Sequence, residues 1–321
     1  MKKIIFLYFL LGSLGGLFAQ NSDIETENRA ENTSQDKMLP FQLSNFENSS
    51  LSWANSGDDV GFIDIFVSVK FPLVPFIFPI ENTKIDFTIF PYITFNTRMG
   101  FYWTTRPSSP VIGKQFNPGW IITRFYLNGY SLDPENLETY IDLSYNHESN
   151  GQAIDSLGDY QIFSSLISST AYARDYIDRG WDYIELKGQY RKNLSSQISL
   201  TALAELQFFL SDGLFQGAIS EYESWENDPE GKKRDQVHGI RLGASFLWNF
   251  NHPFFTGVQA QLYYITGIGA PFQYHSFHSE VALGVHHIPF FVSFDYGYLN
   301  DLTLYYKNSW MVKMGAQFRS W

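Results

Sequence analysis

Tyr145-Asn146-His147-Glu148-Ser149-Asn150-Gly151-Gln152 closes a run in which apolar and polar residues alternate. Successive side chains of a strand point to opposite faces, so residues two apart share one. Reading back from Ser149, one face holds His147, Tyr145, Leu143 and Ile141, and the other holds Glu148, Asn146, Ser144 and Asp142. The run predicts a strand that carries a histidine and a serine on its apolar side. In a soluble protein that is an odd place for catalysis. In a strand that crosses a membrane the same side is turned to lipid.

The pattern recurs along the chain. Ile63, Ile65, Val67 and Val69 alternate with Asp64, Phe66, Ser68 and Lys70, and Ile85, Phe87, Ile89, Ile93 and Phe95 with Asp86, Thr88, Tyr92, Thr94 and Asn96. Ile198, Leu200, Ala202, Ala204 and Leu206 form a third such face, and Ile240, Leu242, Ala244, Phe246 and Trp248 a fourth. Trp310, Val312, Met314, Ala316 and Phe318 form the last, just before the closing Trp321. Each run is about 10 residues, the length a tilted strand needs to cross a bilayer. Many begin or end in Trp, Tyr or Phe, as interfacial girdles do. The alternation predicts an all-β fold, one transmembrane antiparallel β-barrel of about 12 strands. Short connections, such as Lys192-Asn193 and Asn251-His252-Pro253, contrast with long ones over 153–177 and 211–235. Short turns at one end and long loops at the other are the habit of such barrels.

Composition agrees. The 321 residues include 30 Phe, 20 Tyr and 8 Trp but no Cys, so neither disulfides nor thiolate metal sites are available. A net charge of −11 argues against nucleic acid as a partner. Lys2-Lys3, an apolar run from Ile4 to Leu11, and Leu17-Phe18-Ala19 before Gln20 read as a secretory signal peptide over 1–20. Residues 21–57 read as a polar, largely irregular periplasmic lead-in, with a strand-like segment near Phe41 to Trp53, and 58–321 as the barrel. The chain is thus expected in the outer membrane.

Asn146-His147-Glu148-Ser149-Asn150-Gly151 resembles the His-x-Ser-Asn-Gly signature of the outer membrane phospholipase A family, calcium-dependent barrel enzymes. Two further blocks fall in the family's order: Arg106-Pro107-Ser108-Ser109-Pro110 before the signature and Asp178-Arg179-Gly180-Trp181-Asp182 after it. The resemblance implies Ser149 as nucleophile, His147 as base, and Asp182 where the family has an asparagine that orients the histidine. A carboxylate suits that role, because it fixes the imidazole tautomer and stabilises the imidazolium that forms. Parity supports the assignment independently, since Asp182 shares its face with Ile184 and Leu186. The signature and the third block stand further apart than in the family, and Gln161, nearer the family's usual offset, is the competing orienting residue. For calcium, the resemblance implies Ser108, the carbonyl of Gln152 and Asp178 as ligands, with Ser108 contributed across a calcium-promoted homodimer. The implied substrates are membrane phospholipids, cleaved at their acyl esters.

Blander readings stand beside these. His-x-Ser alone on a strand is ordinary polar girdle chemistry, and Ser108 and Ser109 are ordinary loop residues before a proline. His278, Glu280 and His286, with His287 adjacent, share a polar parity and suggest a metal site, but hydrogen-bonded barrel interior explains them as well. The rival functional class is a non-enzymatic barrel, a channel or structural protein with a degenerate site. A barrel esterase or lipid A deacylase shares the nucleophile but not the Arg-x-Trp-Asp block.

Overall fold

A computed structural model of the chain describes residues 47–57, 61–73, 76–79, 85–102, 113–127, 139–166, 173–215, 232–286, 288–299 and 305–318. The expectations for the signal peptide and the lead-in up to residue 46, for Ser108 and Ser109, for His287 and for Trp321 lie outside these residues.

Thirteen strands run in chain order: β1 Ser49–Ser56, β2 Phe62–Pro72, β3 Phe76–Pro79, β4 Ile85–Tyr102, β5 Gly113–Leu127, β6 Tyr140–Ser149 and β7 Gly180–Asn193. They continue as β8 Ile198–Phe209, β9 Gly239–Asn249, β10 Phe255–Gly267, β11 Ser276–Val285, β12 Ile288–Tyr298 and β13 Asn308–Phe318. All neighbours pair antiparallel, β1 pairs with both β2 and β13, and β2 pairs with β4, which closes the ring. The short β3 adds to the other end of the long β4, so the closed ring holds twelve strand positions. Closure pairs each of the twelve ring strands on both sides, the condition for a sheet to stand in lipid.

The faces sort as the alternation predicts. On β8, Leu200, Ala202, Ala204 and Phe208 are exposed while Ser199 and Glu205 are buried. On β13, Trp310 and Met314 are exposed while Ser309, Met311 and Gln317 are buried. Aromatic residues ring one end of the apolar belt, where Phe277, Tyr296 and Trp310 lie in register on three neighbouring strands. Trp248, Phe254 and Phe255 lie towards the other end. A closed barrel with an apolar, aromatic-bordered outer face is an outer-membrane, multi-pass β-barrel.

The interior is polar and internally paired. Arg98 and Lys313 both reach Asp64, at 2.6 and 2.7 Å, and Arg124 forks onto Asp142 with two 2.6 Å bonds. Gln317 bonds Glu280 at 2.7 Å. His278 pairs with Asp295 at 2.7 Å, its cross-strand partner. His286 departs from the sequence reading: β11 ends at Val285, and His286 sits in the following turn with φ of 54°. His278 and Glu280 are engaged in the hydrogen-bonded interior, on Asp295 and Gln317 respectively.

β1 overlaps the strand-like segment expected near Phe41 to Trp53, but it belongs to the ring although it lies inside the stretch read as polar lead-in. Only Leu51 and Trp53 mark its outer face, against buried Ser52, Ala54 and Ser56. Two outward apolar residues are too few for alternation to register.

Strand directions gather the described parts of the connections after β6, β8, β10 and β12 at one end of the ring, and the turns 194–197 and 250–254 at the other. At the long-loop end Ile154, Ile177, Trp181, Val237, Tyr305 and Tyr306 form one buried cluster. Trp181 meets Tyr305 edge-on at 5.3 Å. The described parts of the 153–177 insertion, which include a helix over Leu157–Leu166 (α1), thus pack through Ile154 and Ile177 on Val237, Tyr305 and Tyr306 of other long connections.

Candidate active site

The signature lies at the long-loop end of β6, and its alternate residues do different work. The inward ones build the scaffold. Asn146 bonds Ser144 at 2.9 Å. Glu148 receives Arg234 at 2.7 and 2.9 Å, which ties the β8–β9 loop into the barrel. Arg234 begins a one-turn helix, Arg234–Val237 (α2), and also donates to His238 Nδ1 at 3.1 Å. Burial, and then the charges of Arg234 and Arg241, push His238 well below its ordinary pKa, so its nitrogen is available as an acceptor.

Asn150, fully buried, closes the neck of the insertion. Its side chain accepts from the Arg179 amide at 2.8 Å and donates to the Ile177 carbonyl at 2.8 Å. Ile154 and Ile177 pair just beyond, with the Asp178 amide on the Ile154 carbonyl at 2.7 Å. The insertion therefore leaves and returns at one point, and Asp178 to Asp182 re-enter the sheet beside the signature. This resolves the spacing that separates the two blocks. Gly151, at φ of 52°, makes the turn out of the strand in a conformation that costs other residues about 1 kcal/mol or more.

The outward residues converge. In the β6–β7 register His147 lies opposite Asp182 and Ser149 opposite Gly180. His147 Nδ1 stands 2.6 Å from Asp182 Oδ1. Ser149, two residues on, shares the face of His147, and Gly180 leaves it room: a Cβ there would come within 3.2 Å of the Ser149 Cβ. Gln161, the competing orienting residue, lies instead on the exposed surface of α1. Of the two, Asp182 is the one beside the histidine.

Sequence reasoning missed the rest of the Asp182 environment. Tyr145 Oη donates to Asp182 Oδ2 at 2.6 Å, and the Phe215 amide donates to the same oxygen at 2.8 Å. The Leu214 amide donates to Tyr145 Oη at 2.7 Å. The segment 210–215, leaving β8, thus folds down over the outside of the barrel and leaves Asp182 only 1% exposed. Tyr145 shared the parity of His147 and was legible to that extent; the loop contact had no local signal.

Of the three implied calcium ligands, Ser108 lies outside the described residues. The Asp178 carboxyl lies near the Gln152 amide, which favours its charged form. Burial pushes the Asp178 carboxyl above its ordinary pKa against that influence, and nearby Asp155 adds to the rise. A half-buried carboxylate beside a second negative charge fits a hard divalent cation, which takes oxygen ligands of this kind.

Fold and site together define an outer-membrane barrel with a His-Asp pair and a serine on its lipid face. No protein-family model and no curated protein sequence matches the chain. Among solved structures the fold is similar to outer membrane phospholipase A from Escherichia coli, with TM-score 0.55 and 11% identity over 87% of this chain and 99% of that one. It is equally similar to the calcium-bound dimer of the Salmonella typhi outer membrane phospholipase, with TM-score 0.55 and 12% identity over 89% and 95% of the two chains. At such identities the likeness is one of fold.

Proposed function

We propose that the protein is a calcium-dependent outer-membrane phospholipase A that hydrolyses acyl esters of glycerophospholipids and lysophospholipids. The observation that carries this reading is the 2.6 Å contact between His147 and Asp182 on the lipid-facing side of the barrel, with Ser149 on the same face. The Ser149 hydroxyl attacks the ester carbonyl carbon while His147 Nε2 takes its proton and then gives it to the departing glycerol oxygen. Water, deprotonated by the same nitrogen, attacks the acyl-enzyme and releases the fatty acid. Asp182 accepts the Nδ1–H bond, which leaves Nε2 free to take a proton and stabilises the imidazolium that forms. A site on the outer wall receives its substrate from the leaflet without passing it through the protein.

Asp178 and the Gln152 carbonyl would hold calcium, completed by Ser108 of a second copy. The ion supplies positive charge for the oxyanion that develops on the ester. If calcium links the two copies in this way, Ser108→Ala abolishes calcium-promoted dimerisation, measured by sedimentation in detergent. Unchanged dimerisation would remove Ser108 from the site. Against the channel reading stands the aromatic cluster packed in the barrel mouth.

The test of the function is fatty-acid release from phosphatidylcholine micelles by the refolded barrel, with calcium or with EDTA. Calcium-dependent release, lost in Ser149→Ala, is the expected result. No release at any calcium concentration would sink the enzyme reading.

A further inference from the structure

Asp182 is held by more than its histidine. Its Oδ2 takes two donors, Tyr145 Oη at 2.6 Å and the Phe215 amide at 2.8 Å, so that Oδ1 is left to His147. The second donor and the brace behind the first both come from the segment after β8. The Leu214 amide donates to Tyr145 Oη, and Phe215 lies 5.8 Å from the His147 ring and 6.2 Å from the Tyr145 ring. The apolar side chains of this segment remain outside: Leu214 is 44% exposed and Phe215 71%. On the outer wall of a membrane barrel, that exposure is to the acyl region or its border.

We infer that Gly213-Leu214-Phe215 is a lipid-side flap that positions Asp182, and through it His147, and that Tyr145 is its hinge point on the barrel. A lone carboxylate at a strand surface rotates about its terminal torsion, which is broad and roughly two-fold. Two donors on one oxygen fix the plane of the carboxylate and therefore the direction in which the imidazole is held. The flap also excludes water from the pair, which strengthens the His–Asp hydrogen bond. Phe215, packed beside the imidazole, is where an acyl chain arriving at Ser149 would meet the flap. The inference rests on the phospholipase reading for its consequence, but not for its geometry.

Gly213 offers a probe that leaves every site residue in place. A Cβ at this position would overlap the Asp182 carboxyl, so Gly213→Ala must lift the flap or turn the carboxylate. Two readouts on the refolded barrel in phosphatidylcholine micelles separate the possibilities. The first is the downfield proton resonance of His147 Nδ1–H bonded to a carboxylate, assigned by its loss in His147→Gln. The second is kcat and KM for fatty-acid release. Gly213→Ala should shift or erase the resonance and lower kcat on the order of 10²-fold, with KM changed by less than about three-fold. Tyr145→Phe adds no bulk and removes one donor, so the same changes in smaller measure are expected even where Gly213→Ala disturbs folding. A resonance that neither variant moves overturns the inference whether or not the barrel hydrolyses anything. A shifted resonance with unchanged kcat overturns the positioning role and leaves the proposed enzyme standing. A barrel without activity, whose resonance nevertheless depends on Gly213 and Tyr145, keeps the flap and discards the phospholipase.

Discussion

Among the described residues, two histidine–aspartate pairs are of nearly identical construction. His147 and Asp182 face each other across β6 and β7 at 2.6 Å, and His278 and Asp295 across β11 and β12 at 2.7 Å. Each histidine even has a serine two residues away, Ser149 in one case and Ser276 in the other. What differs is the face and the company. His278 points into the polar interior beside Tyr263, and Ser276 is engaged at the strand end, bonding the Tyr298 amide at 2.8 Å and its carbonyl at 3.1 Å. His147 points to lipid, and its aspartate is covered by a flap, with 1% of the side chain exposed against 24% for Asp295. A His–Asp contact alone is therefore no mark of catalysis. Its surroundings decide what it can do.

The sharpest break between the pairs is expected at the two serines. Ser149→Ala should reduce fatty-acid release on the order of 10⁶-fold, as removal of a nucleophile does in other serine hydrolases. Ser276→Ala should leave the rate within two-fold and cost about 1 kcal/mol of stability for its hydrogen bonds, measured by urea unfolding in micelles. Comparable losses at both serines would mean that the rate reports barrel integrity, and the contrast would fall.

The two aspartates come next. Asp182→Ala should lower kcat on the order of 10⁴-fold and Asp182→Asn comparably, because an amide nitrogen in place of Oδ2 cannot accept from Tyr145 Oη and the Phe215 amide. Asp295→Ala should leave hydrolysis intact and move the unfolding midpoint instead, since it strands His278 in the interior. Equal kinetic effects would erase the distinction between the faces.

How much of this contrast could be read from the sequence depends on the range of the contact. The faces were legible because lipid reverses the usual arrangement: the apolar residues of β6, β8, β9 and β13 point outwards and repeat every second position. The parity argument that put His147, Ser149 and Asp182 on one side needs only local strand structure, and it holds. The choice between Asp182 and Gln161 needed the register, because spacing pointed to Gln161 while the motif and parity pointed to Asp182. The flap was invisible, since it joins Asp182 to Phe215 through a backbone amide, which has no residue signature. The neck of the insertion was hidden in the signature itself. Asn150 reads as part of a motif, but its buried amide spends its bonds on Arg179 and Ile177. β1 was legible only in part, as the strand-like segment near Phe41 to Trp53, and its few outward apolar residues hid its place in the ring; His286 was misplaced because a turn broke its parity.

A third comparison sets the candidate calcium ligand against an ordinary carboxylate. The Asp178 pKa is raised in the folded chain, so on acidification Asp178 takes up its proton before an unfolded-chain aspartate does. Without calcium the sign is therefore stabilising: the barrel should gain stability as pH falls through the raised value, until the ordinary aspartate range is reached. Calcium competes with that proton, so the stabilisation it confers should fade across the same window. Melting curves with calcium and with EDTA between pH 4 and pH 8 would show the two sets converging on the acid side, to within about 1 °C of each other. In Asp178→Asn the calcium-dependent difference should be absent at every pH. A difference that persists in that variant would place the ion elsewhere.

The smallest effects are expected at the neck that brings Asp182 home. Asn150→Ala removes an acceptor for the Arg179 amide and a donor for the Ile177 carbonyl, both in buried surroundings. Each unsatisfied backbone group costs roughly 1–3 kcal/mol, reduced where water reaches it. Gly151→Ala adds strain of about 1–2 kcal/mol at a positive φ without a clash, because the nearest side-chain atom to its Cβ is 4.0 Å away. Neither residue touches the His147–Asp182 pair, so any kinetic loss should follow from looser return of β7 to the sheet. Amide exchange at Arg179 and Asp178 should accelerate in both variants, and more in Asn150→Ala. If exchange stays slow there, the insertion is held by the aromatic cluster over the barrel mouth, and Asn150 serves the signature in some other way.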